Sequence, residues 1–356
     1  MDRRVTKQVR VGNLSLGGSA KIAVQTMWSH PLPDKNDAKG IEALLDRLRT
    51  YATMGCDIIR FAYHTEADRE VFSIICKESP MPIVADIHFD YRLAIDAFTC
   101  GAHKIRINPG NIGSKQKVED VVRCAQDNDG AIRIGLNGGS LPIHLRSQDH
   151  VRAMVDTALT YIDWFESWDF DRIVLSLKDS DLETTYRSYT SIAESSAYPI
   201  HLGVTEAGGI VSSSVRSTWV LGRLLNDGIG DTIRISITDD IEYEIEAAKE
   251  LLRAVGIESK GIRVVSCPRC GRSTFDSQKF LKQVQSRLST FDVPLTVAIM
   301  GCQVNGPGEA SHADIAITGI GQKVFLYEHG VLKRQVSADE AESALFETLE
   351  AYINAQ

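Results

Sequence analysis

From about residue 20 to residue 255, short runs of β-branched and other apolar residues alternate with longer segments whose apolar residues recur at helical spacing. Each apolar run is followed by an amphipathic stretch, such as Lys39–Met54 or Gln148–Trp168. The predicted strands are Ile22–Thr26, Ile58–Ala62, Ile83–Ile87, His103–Asn108, Ile132–Asn137, Arg172–Lys178, Ile200–Val204 and Thr232–Ile237. Eight strand–helix repeats predict an α/β fold of the TIM (β/α)8 barrel type. A doubly wound open sheet is the alternative, but it usually has fewer strands, and the chain has no Gly-x-Gly-x-x-Gly fingerprint.

The pattern changes after the helical segment Ile241–Val255, which ends at Gly256. Glu258-Ser-Lys-Gly261 is typical of a linker, so we place a barrel at residues 1–258 and a second domain at residues 259–356. The elements predicted for the second domain are a strand Ile262–Ser266, a helix Phe275–Leu288, a strand Leu295–Met300, two or three short strands between Ala313 and Gln335, and a closing helix Ala338–Ile353. This order indicates a small α+β domain.

Composition is that of an ordinary globular protein, with 356 residues, 43% hydrophobic and 24% charged. The net charge of −8 argues against a broad nucleic-acid surface, so any anion site must be a local cluster of Arg and Lys. No signal peptide and no apolar run of membrane length is recognisable. Seven Cys residues, an odd number, fit a reducing compartment better than a disulfide framework. We therefore expect a cytoplasmic protein without membrane or nucleic-acid partners.

Polar residues occupy alternate positions near the ends of several predicted strands. Because strand side chains alternate between faces, Lys104, Arg106 and Asn108 share one face of their strand. The same spacing groups Arg133 with Asn137, Ser176 with Lys178, and Thr232 with Arg234 and Ser236. Asp86 and His88 end the third strand, Glu206 follows the seventh, and Arg60 lies late in the second. Such residues are expected at the carboxyl-terminal mouth of a barrel, where active sites lie.

This arrangement places Arg60, Arg106, Arg133, Lys178 and Arg234 around one mouth with few carboxylates. Several cations in one place indicate a ligand with several negative charges, most simply a diphosphate. The alternative is that each Arg pairs with a neighbouring carboxylate.

Cysteines in the second domain form a separate pattern. Cys267-Pro-Arg-Cys270 and the later Cys302 offer three thiolates, and Glu309 follows in the segment Asn305-Gly-Pro-Gly-Glu309. A closed structural zinc site takes four N or S ligands, whereas three thiolates with a weaker fourth ligand suit a catalytic iron–sulfur cluster. Zinc with Glu309 or His312 as the fourth ligand remains the alternative.

Six ordered blocks resemble the bacterial 4-hydroxy-3-methylbut-2-enyl diphosphate synthase family over nearly the whole chain. The blocks are Asp86-Ile-His-Phe-Asp-Tyr-Arg92, Lys104-Ile-Arg-Ile-Asn-Pro-Gly-Asn-Ile-Gly113, His201-Leu-Gly-Val-Thr-Glu-Ala-Gly208, Gly230-Asp-Thr-Ile-Arg234, Ser266-Cys-Pro-Arg-Cys-Gly-Arg272 and Asn305-Gly-Pro-Gly-Glu309. The resemblance implies reductive ring opening and dehydroxylation of 2-C-methyl-D-erythritol 2,4-cyclodiphosphate, an oxidoreductase step of isoprenoid precursor biosynthesis. It also implies a homodimer that takes electrons from ferredoxin or flavodoxin.

The resemblance further implies residue roles. A [4Fe–4S] cluster would be held by Cys267, Cys270, Cys302 and Glu309. Glu206 would act as acid or base near the departing hydroxyl. The diphosphate would be bound by Arg106, Arg133, Asn137, Lys178, Arg234 and Ser236, with Arg60, Asp86, His88 and Asn108 as further substrate-binding residues.

The chain departs from the usual family pattern at three places, namely Trp28-Ser-His-Pro31, Gly138 and Asp179.

Two other function classes also remain open from the residues alone. One is a barrel transferase or hydrolase with a structural zinc, and the other is an electron carrier or iron–sulfur sensor without catalysis.

Overall fold

A computed structural model of the protein describes residues 3–109, 111–141, 149–205, 208–257, 261–268, 271, 273–302, 308 and 311–355. The chain divides into two compact units, Met1–Ile257 and Glu258–Gln356. The first unit is a parallel barrel and the second is a mixed sheet with helices. The predicted fold class is therefore confirmed.

The first unit begins with a β-hairpin that the sequence patterns did not predict. It consists of β1 (Val9–Val11) and β2 (Leu14–Leu16), which pair antiparallel. Its apolar side chains pack against Ala23, Ile58, Val84, Ala131 and Val174, which lie early in their barrel strands or just before them. The hairpin thus covers the amino end of the barrel and leaves the carboxyl end for a site.

Eight parallel strands form the barrel wall. They are β3 (Ala23–Met27), β4 (Ile58–Ala62), β5 (Ile83–Asp86), β6 (Lys104–Ile107), β7 (Ala131–Asn137), β8 (Ile173–Lys178), β9 (His201–Leu202) and β10 (Thr232–Ile233). Their order is β8-β7-β6-β5-β4-β3-β10-β9, and a parallel bridge between Leu175 and Ile200 joins the two ends. This closure excludes the open-sheet alternative.

The last strand is shorter than predicted. Thr232–Ile237 was expected as one strand, but β10 ends at Ile233. The backbone N–H of Arg234 still donates to Leu202 O at 3.0 Å, whereas that of Ile237 donates to Glu244 Oε1 at 3.1 Å, so the backbone has left the sheet by Ile237.

Among the residues that the structure describes, eight α-helices follow the barrel strands. They are α1 (Ala38–Met54), α2 (Arg69–Glu78), α3 (Tyr91–Thr99), α4 (Lys115–Asp127), α5 (His150–Ser167), α6 (Leu182–Ser195), α7 (Ile210–Asn226) and α8 (Ile241–Ala254). Aspartates cap several of them, and Asp181, for example, accepts from the backbone N–H of Thr184 at 2.7 Å. A short 3-10 helix, Gly138–Ser140, follows β7. None of the described helices has both the length and the apolarity needed to cross a membrane.

The second unit is a five-stranded sheet with helices on one face. Its elements are β11 (Arg263–Ser266), α9 (Ser277–Leu288), β12 (Thr296–Met300), β13 (Ile315–Ile320), β14 (Lys323–Glu328), β15 (Val331–Ser337) and α10 (Ala341–Asn354). Strands β11, β12 and β13 run parallel, and β14 and β15 continue the sheet antiparallel. Because β11 and β12 are parallel neighbours, the residues that follow them lie at the same edge of the sheet.

Candidate active site

A cavity of about 370 Å³ opens at the carboxyl ends of the barrel strands. Its lining includes nine of the residues predicted from the sequence, namely Arg60, Asp86, His88, Arg106, Arg133, Asn137, Lys178, Arg234 and Ser236. We call this cavity the cationic cup. These nine side chains come from six different strands or the segments that follow them, and Met27 and Thr205 add the end of β3 and the segment after β9 to the lining.

Two glycines leave room for the long cationic side chains. A Cβ at Gly135 would lie 2.5 Å from Arg106 Nε, and a Cβ at Gly203 would lie 2.4 Å from Lys178 Nζ. Both distances are far below van der Waals contact, so the Arg106 and Lys178 side chains cross directly over backbone. Glycine at these positions is therefore part of how the cup is built.

Asp86 organises one side of the cup. It lies 3.3 Å from Arg106 Nη1, 3.6 Å from Arg60 Nε and 3.6 Å from His88 Nε2. Burial by itself raises the pKa of Asp86, but Arg60, Arg106 and Arg133 outweigh it and lower the pKa to about 2. Asp86 is therefore ionised at neutral pH.

Arg133 and Lys178 form the other side, where positive charge is not balanced. They are 2% and 7% exposed, and among the residues that the structure describes neither forms an ion pair with a carboxylate. Nε and Nη1 of Arg133 have no hydrogen-bond partner in the described part of the chain. Burial, followed by repulsion from neighbouring cations, lowers the pKa of both groups well below its ordinary value. An anion in the cup would relieve this unfavourable burial of charge.

The buried side chain of His201 lies beside the ammonium group of Lys178. Lys178 Nζ lies 3.4 Å from His201 Nε2, and His201 Nδ1 lies 2.6 Å from Thr232 Oγ1. Burial, reinforced by Arg133 and Lys178, lowers the pKa of His201 well below its ordinary value. A neutral His201 can accept from the ammonium through Nε2 while its Nδ1–H donates to Thr232.

Glu244 is a site residue that the sequence reading missed. Its carboxylate accepts from Arg234 Nη2 at 2.8 Å and from Arg234 Nε at 3.1 Å. Thr26 Oγ1 also donates to it. A signal was available, because Glu244 shares the helical spacing of the buried residues Ile241, Ile245 and Ala248 of α8. An acid on an apolar helix face is buried only with partners.

The amide residues Asn108 and Asn137 and the acidic residue Glu206 complete the set predicted for the barrel. Asn108 does not line the cup; its amide donates to Ser140 Oγ at 2.8 Å, and the residue is 2% exposed. Asn137 lines the cup, and in the amide orientation that satisfies its neighbours its oxygen accepts from Arg106 Nη2 at 3.2 Å. Glu206 lies outside the described residues, directly after the lining residue Thr205.

In the second unit, two of the predicted cluster ligands lie at one sheet edge. Cys267 follows β11 and Cys302 follows β12 by two residues, and Cys302 is 6% exposed. The backbone N–H of Gly301 donates to Cys267 Sγ at 3.2 Å. Cys270 and Glu309 lie outside the described residues. Among the residues that are described, no group of three or more His, Cys, Asp or Glu side chains is placed to hold a metal.

Comparison with known families identifies both parts of the chain. Residues 6–249 match the GcpE TIM-barrel domain, and residues 263–351 match the GcpE protein C-terminal domain.

Curated relatives match over almost the full length. A protein of Symbiobacterium thermophilum is 41% identical over 98% of this chain and 94% of its own length. One of Clostridium perfringens is 40% identical over 98% of this chain and 99% of its own length. Both carry the name 4-hydroxy-3-methylbut-2-en-1-yl diphosphate synthase (flavodoxin). Among solved structures, a dihydropteroate synthase of Xanthomonas albilineans with 4-aminobenzoic acid covers 72% of this chain and 100% of its own at 12% identity and a TM-score of 0.50. That likeness concerns the fold alone.

Proposed function

The chain belongs to the GcpE family, and from that premise we propose that it converts 2-C-methyl-D-erythritol 2,4-cyclodiphosphate to 4-hydroxy-3-methylbut-2-enyl diphosphate. The reaction is a two-electron reductive ring opening with loss of a hydroxyl, so the chain is an oxidoreductase acting on CH or CH2 groups. The observation that carries the proposal is the cationic cup, in which Arg133 and Lys178 are buried without a carboxylate partner among the described residues.

The cup is suited to a cyclic diphosphate because the diphosphate supplies the anionic charge that the cup lacks. Arg and Lys donate charge-assisted hydrogen bonds to phosphate oxygens, and Arg does so with two nitrogens at once. We assign the diphosphate to Arg106, Arg133, Asn137, Lys178, Arg234 and Ser236. These residues would hold the diphosphate in one position while the ring opens and the carbon skeleton changes.

The remaining substrate-binding residues are proposed to orient the substrate and the cationic side chains rather than to neutralise the diphosphate charge. Asp86 ties Arg60 and Arg106 to one carboxylate and thereby fixes both guanidinium groups at one side of the cup. His88 lies on the same carboxylate at the rim and is half exposed, so it can reach a ligand in the cup. Asn108 acts indirectly, by its hydrogen bond to Ser140.

Glu206 is proposed as the acid or base near the departing hydroxyl. It directly follows Thr205, which lines the cup, at the end of a segment that continues β9. A carboxyl group there can hand a proton to a leaving hydroxyl, which departs as water.

The second unit is proposed to hold a [4Fe–4S] cluster on Cys267, Cys270, Cys302 and Glu309. The described part of this set fits, because Cys267 and Cys302 lie at one sheet edge and a backbone N–H points at the Cys267 sulfur, as is usual for cluster thiolates. When bound, such a cluster supplies electrons and a Lewis-acidic iron. Glu309, a carboxylate where a thiolate would bind more firmly, is proposed as the ligand that exchanges.

The exchangeable role of Glu309 can be tested directly. We expect Glu309→Ala to retain a cluster, measured by iron and sulfide content, but to lose turnover. Glu328→Ala is the control, since Glu328 lies in β14 of the same unit and pairs with Lys333. Normal turnover by Glu309→Ala would remove the exchange proposal.

The reaction consumes two electrons, so the protein needs an electron donor. Electrons are proposed to come from flavodoxin, which the relatives' names state for those proteins, or from ferredoxin. We propose a homodimer located in the cytoplasm.

The decisive experiment is anaerobic turnover of the cyclodiphosphate with a chemical reductant, with product identified by mass spectrometry. We expect turnover with protein that contains iron and acid-labile sulfide. Protein purified without oxygen that contains zinc and no sulfide would support the hydrolase or transferase alternative instead.

A further inference from the structure

Asp179 follows Lys178 at the end of β8. Its side chain contacts residues of the segment that follows the neighbouring strand β7. Asp179 is 6% exposed. Oδ1 accepts from the backbone N–H of Asp181 at 2.9 Å, which lies just before α6. Oδ2 lies 3.2 Å from Nδ1 of His150, the first residue of α5. One carboxylate thus contacts the starts of two helices at the barrel mouth.

The same carboxylate covers Gly138, the residue after β7. A Cβ at Gly138 would lie 1.7 Å from Asp179 Oδ2 and 2.7 Å from its Cγ. Gly138 does not have a positive φ, so the backbone angle does not require glycine there. For the adjacent Gly139, no atom of the described residues, apart from its own chain neighbours, lies within 4 Å of such a Cβ. The need for glycine at position 138 therefore comes from Asp179.

This contact lies beside the cup. Asn137, directly before Gly138, lines the cup and accepts from Arg106 Nη2 at 3.2 Å. A shift of the Gly138 backbone would move Asn137 relative to Arg106. Gly138 and Asp179 are the two positions near the cup at which the chain departs from the usual family pattern. These two residues are therefore in contact with each other.

We propose that Asp179 is a positioning residue, whose side chain fills the space over Gly138 and thereby sets Asn137 against Arg106 for diphosphate binding. The inference rests on the proposed function, because Asn137 and Arg106 are assigned to the diphosphate there. Gly138 and Asp179 then form a coupled pair, in which a larger residue at one position requires a smaller residue at the other.

The test is a double-mutant cycle with Gly138→Ser, Asp179→Gly and the double variant. The dissociation constant of the cyclodiphosphate is measured by calorimetry, and thermal unfolding is followed in parallel. We expect each single variant to bind about tenfold more weakly, and the double variant to return to within about threefold of the wild-type chain, since contacting residues couple on this scale. The serine side chain then occupies the space that Asp179 has left.

Two further variants separate packing from other effects. Gly139→Ser is the matched control and should change the dissociation constant less than about twofold, because within the described part of the chain its Cβ would contact no residue beyond its neighbours. Asp179→Asn keeps the volume without the charge and should bind within about threefold of the wild-type chain if space filling is what matters.

Additive losses in the cycle would overturn the inference, as would equal losses for Gly138→Ser and Gly139→Ser. A lower melting temperature with an unchanged dissociation constant would also overturn it, because the contact would then be structural only. Failure of the wild-type chain to bind the cyclodiphosphate would contradict the proposed function and this inference together, whereas binding with additive losses contradicts this inference alone.

Discussion

At the scale of one residue, Arg133, which we propose binds the diphosphate, is expected to lower the stability of the folded chain. It is 2% exposed, and no described residue forms a hydrogen bond with its Nε or Nη1 atom. Replacing buried charges by apolar residues of similar volume is often stabilising. We expect Arg133→Met to raise the free energy of unfolding by about 1–4 kcal/mol without substrate, measured by urea denaturation, and to abolish cyclodiphosphate binding.

Arg172→Met provides the comparison. Arg172 donates from Nε to Gly130 O at 2.9 Å and from Nη2 to Ala125 O at 3.1 Å. Its loss leaves two carbonyl groups without these donors and should lower stability. If Arg133→Met were destabilised as much as Arg172→Met, Arg133 would not be an uncompensated charge.

Asp86 gives the cup a defined pH dependence. Its pKa of about 2 lies below the ordinary value of 3.8, so between these values the unfolded chain binds more protons than the folded one. The stability due to Asp86 is complete above about pH 4 and is lost as the pH falls through about 2, a total of roughly 2 kcal/mol. Asp86→Asn should therefore flatten the dependence of unfolding free energy on pH in this range. An unchanged slope in the variant would show that Arg60 and Arg106 do not hold Asp86 ionised.

Helix α8 contributes to the cup at the scale of an element. Glu244, in its first turn, accepts from Arg234 through both oxygens and from the backbone N–H of Ile237. It is 4% exposed, so its removal leaves Arg234 with an unpaired charge in a mostly buried place. We expect Glu244→Ala to lower the free energy of unfolding by about 3–5 kcal/mol, measured by chemical denaturation.

The matched control on the same helix is Glu250→Ala. Glu250 pairs with Arg253, but its side chain is 63% exposed, and exposed pairs contribute little, about 0–1 kcal/mol. Equal effects of the two variants would mean that α8 does not anchor Arg234.

The whole barrel should respond to ligand charge. Inorganic diphosphate that binds the folded cup and not the unfolded chain stabilises the fold by about 2.7 kcal/mol at one hundred times its dissociation constant. We expect a rise in melting temperature with diphosphate that is absent with sodium chloride of equal ionic strength. The rise should be strongly reduced in Lys178→Met, because Lys178 is one of the two buried cations of the cup lining that have no carboxylate partner among the described residues. An undiminished rise in that variant would place the diphosphate elsewhere.

Much of the fold was predictable because its signals are local. The run Ile58–Ala62 was predicted with the bounds that β4 has, and the helix predicted from Ile241 begins there. The hairpin β1–β2 was not predicted, because two three-residue strands are too short for alternation to be recognised. Its stability comes from packing against the barrel floor, which no local pattern records.

By itself the sequence determined which side chains face the barrel interior, since alternation along a strand depends only on neighbouring residues. That is why Arg106, Arg133 and Lys178 could be grouped before any contact was known. Only the closed barrel decided which partners these cations have. The contacts of Arg234 with Glu244, of Lys178 with His201 and of Asp179 with Gly138 join different segments of the chain. Each exists because neighbouring strands and helices bring those segments to one end of the barrel, and the resulting balance of charge is a property of that packing.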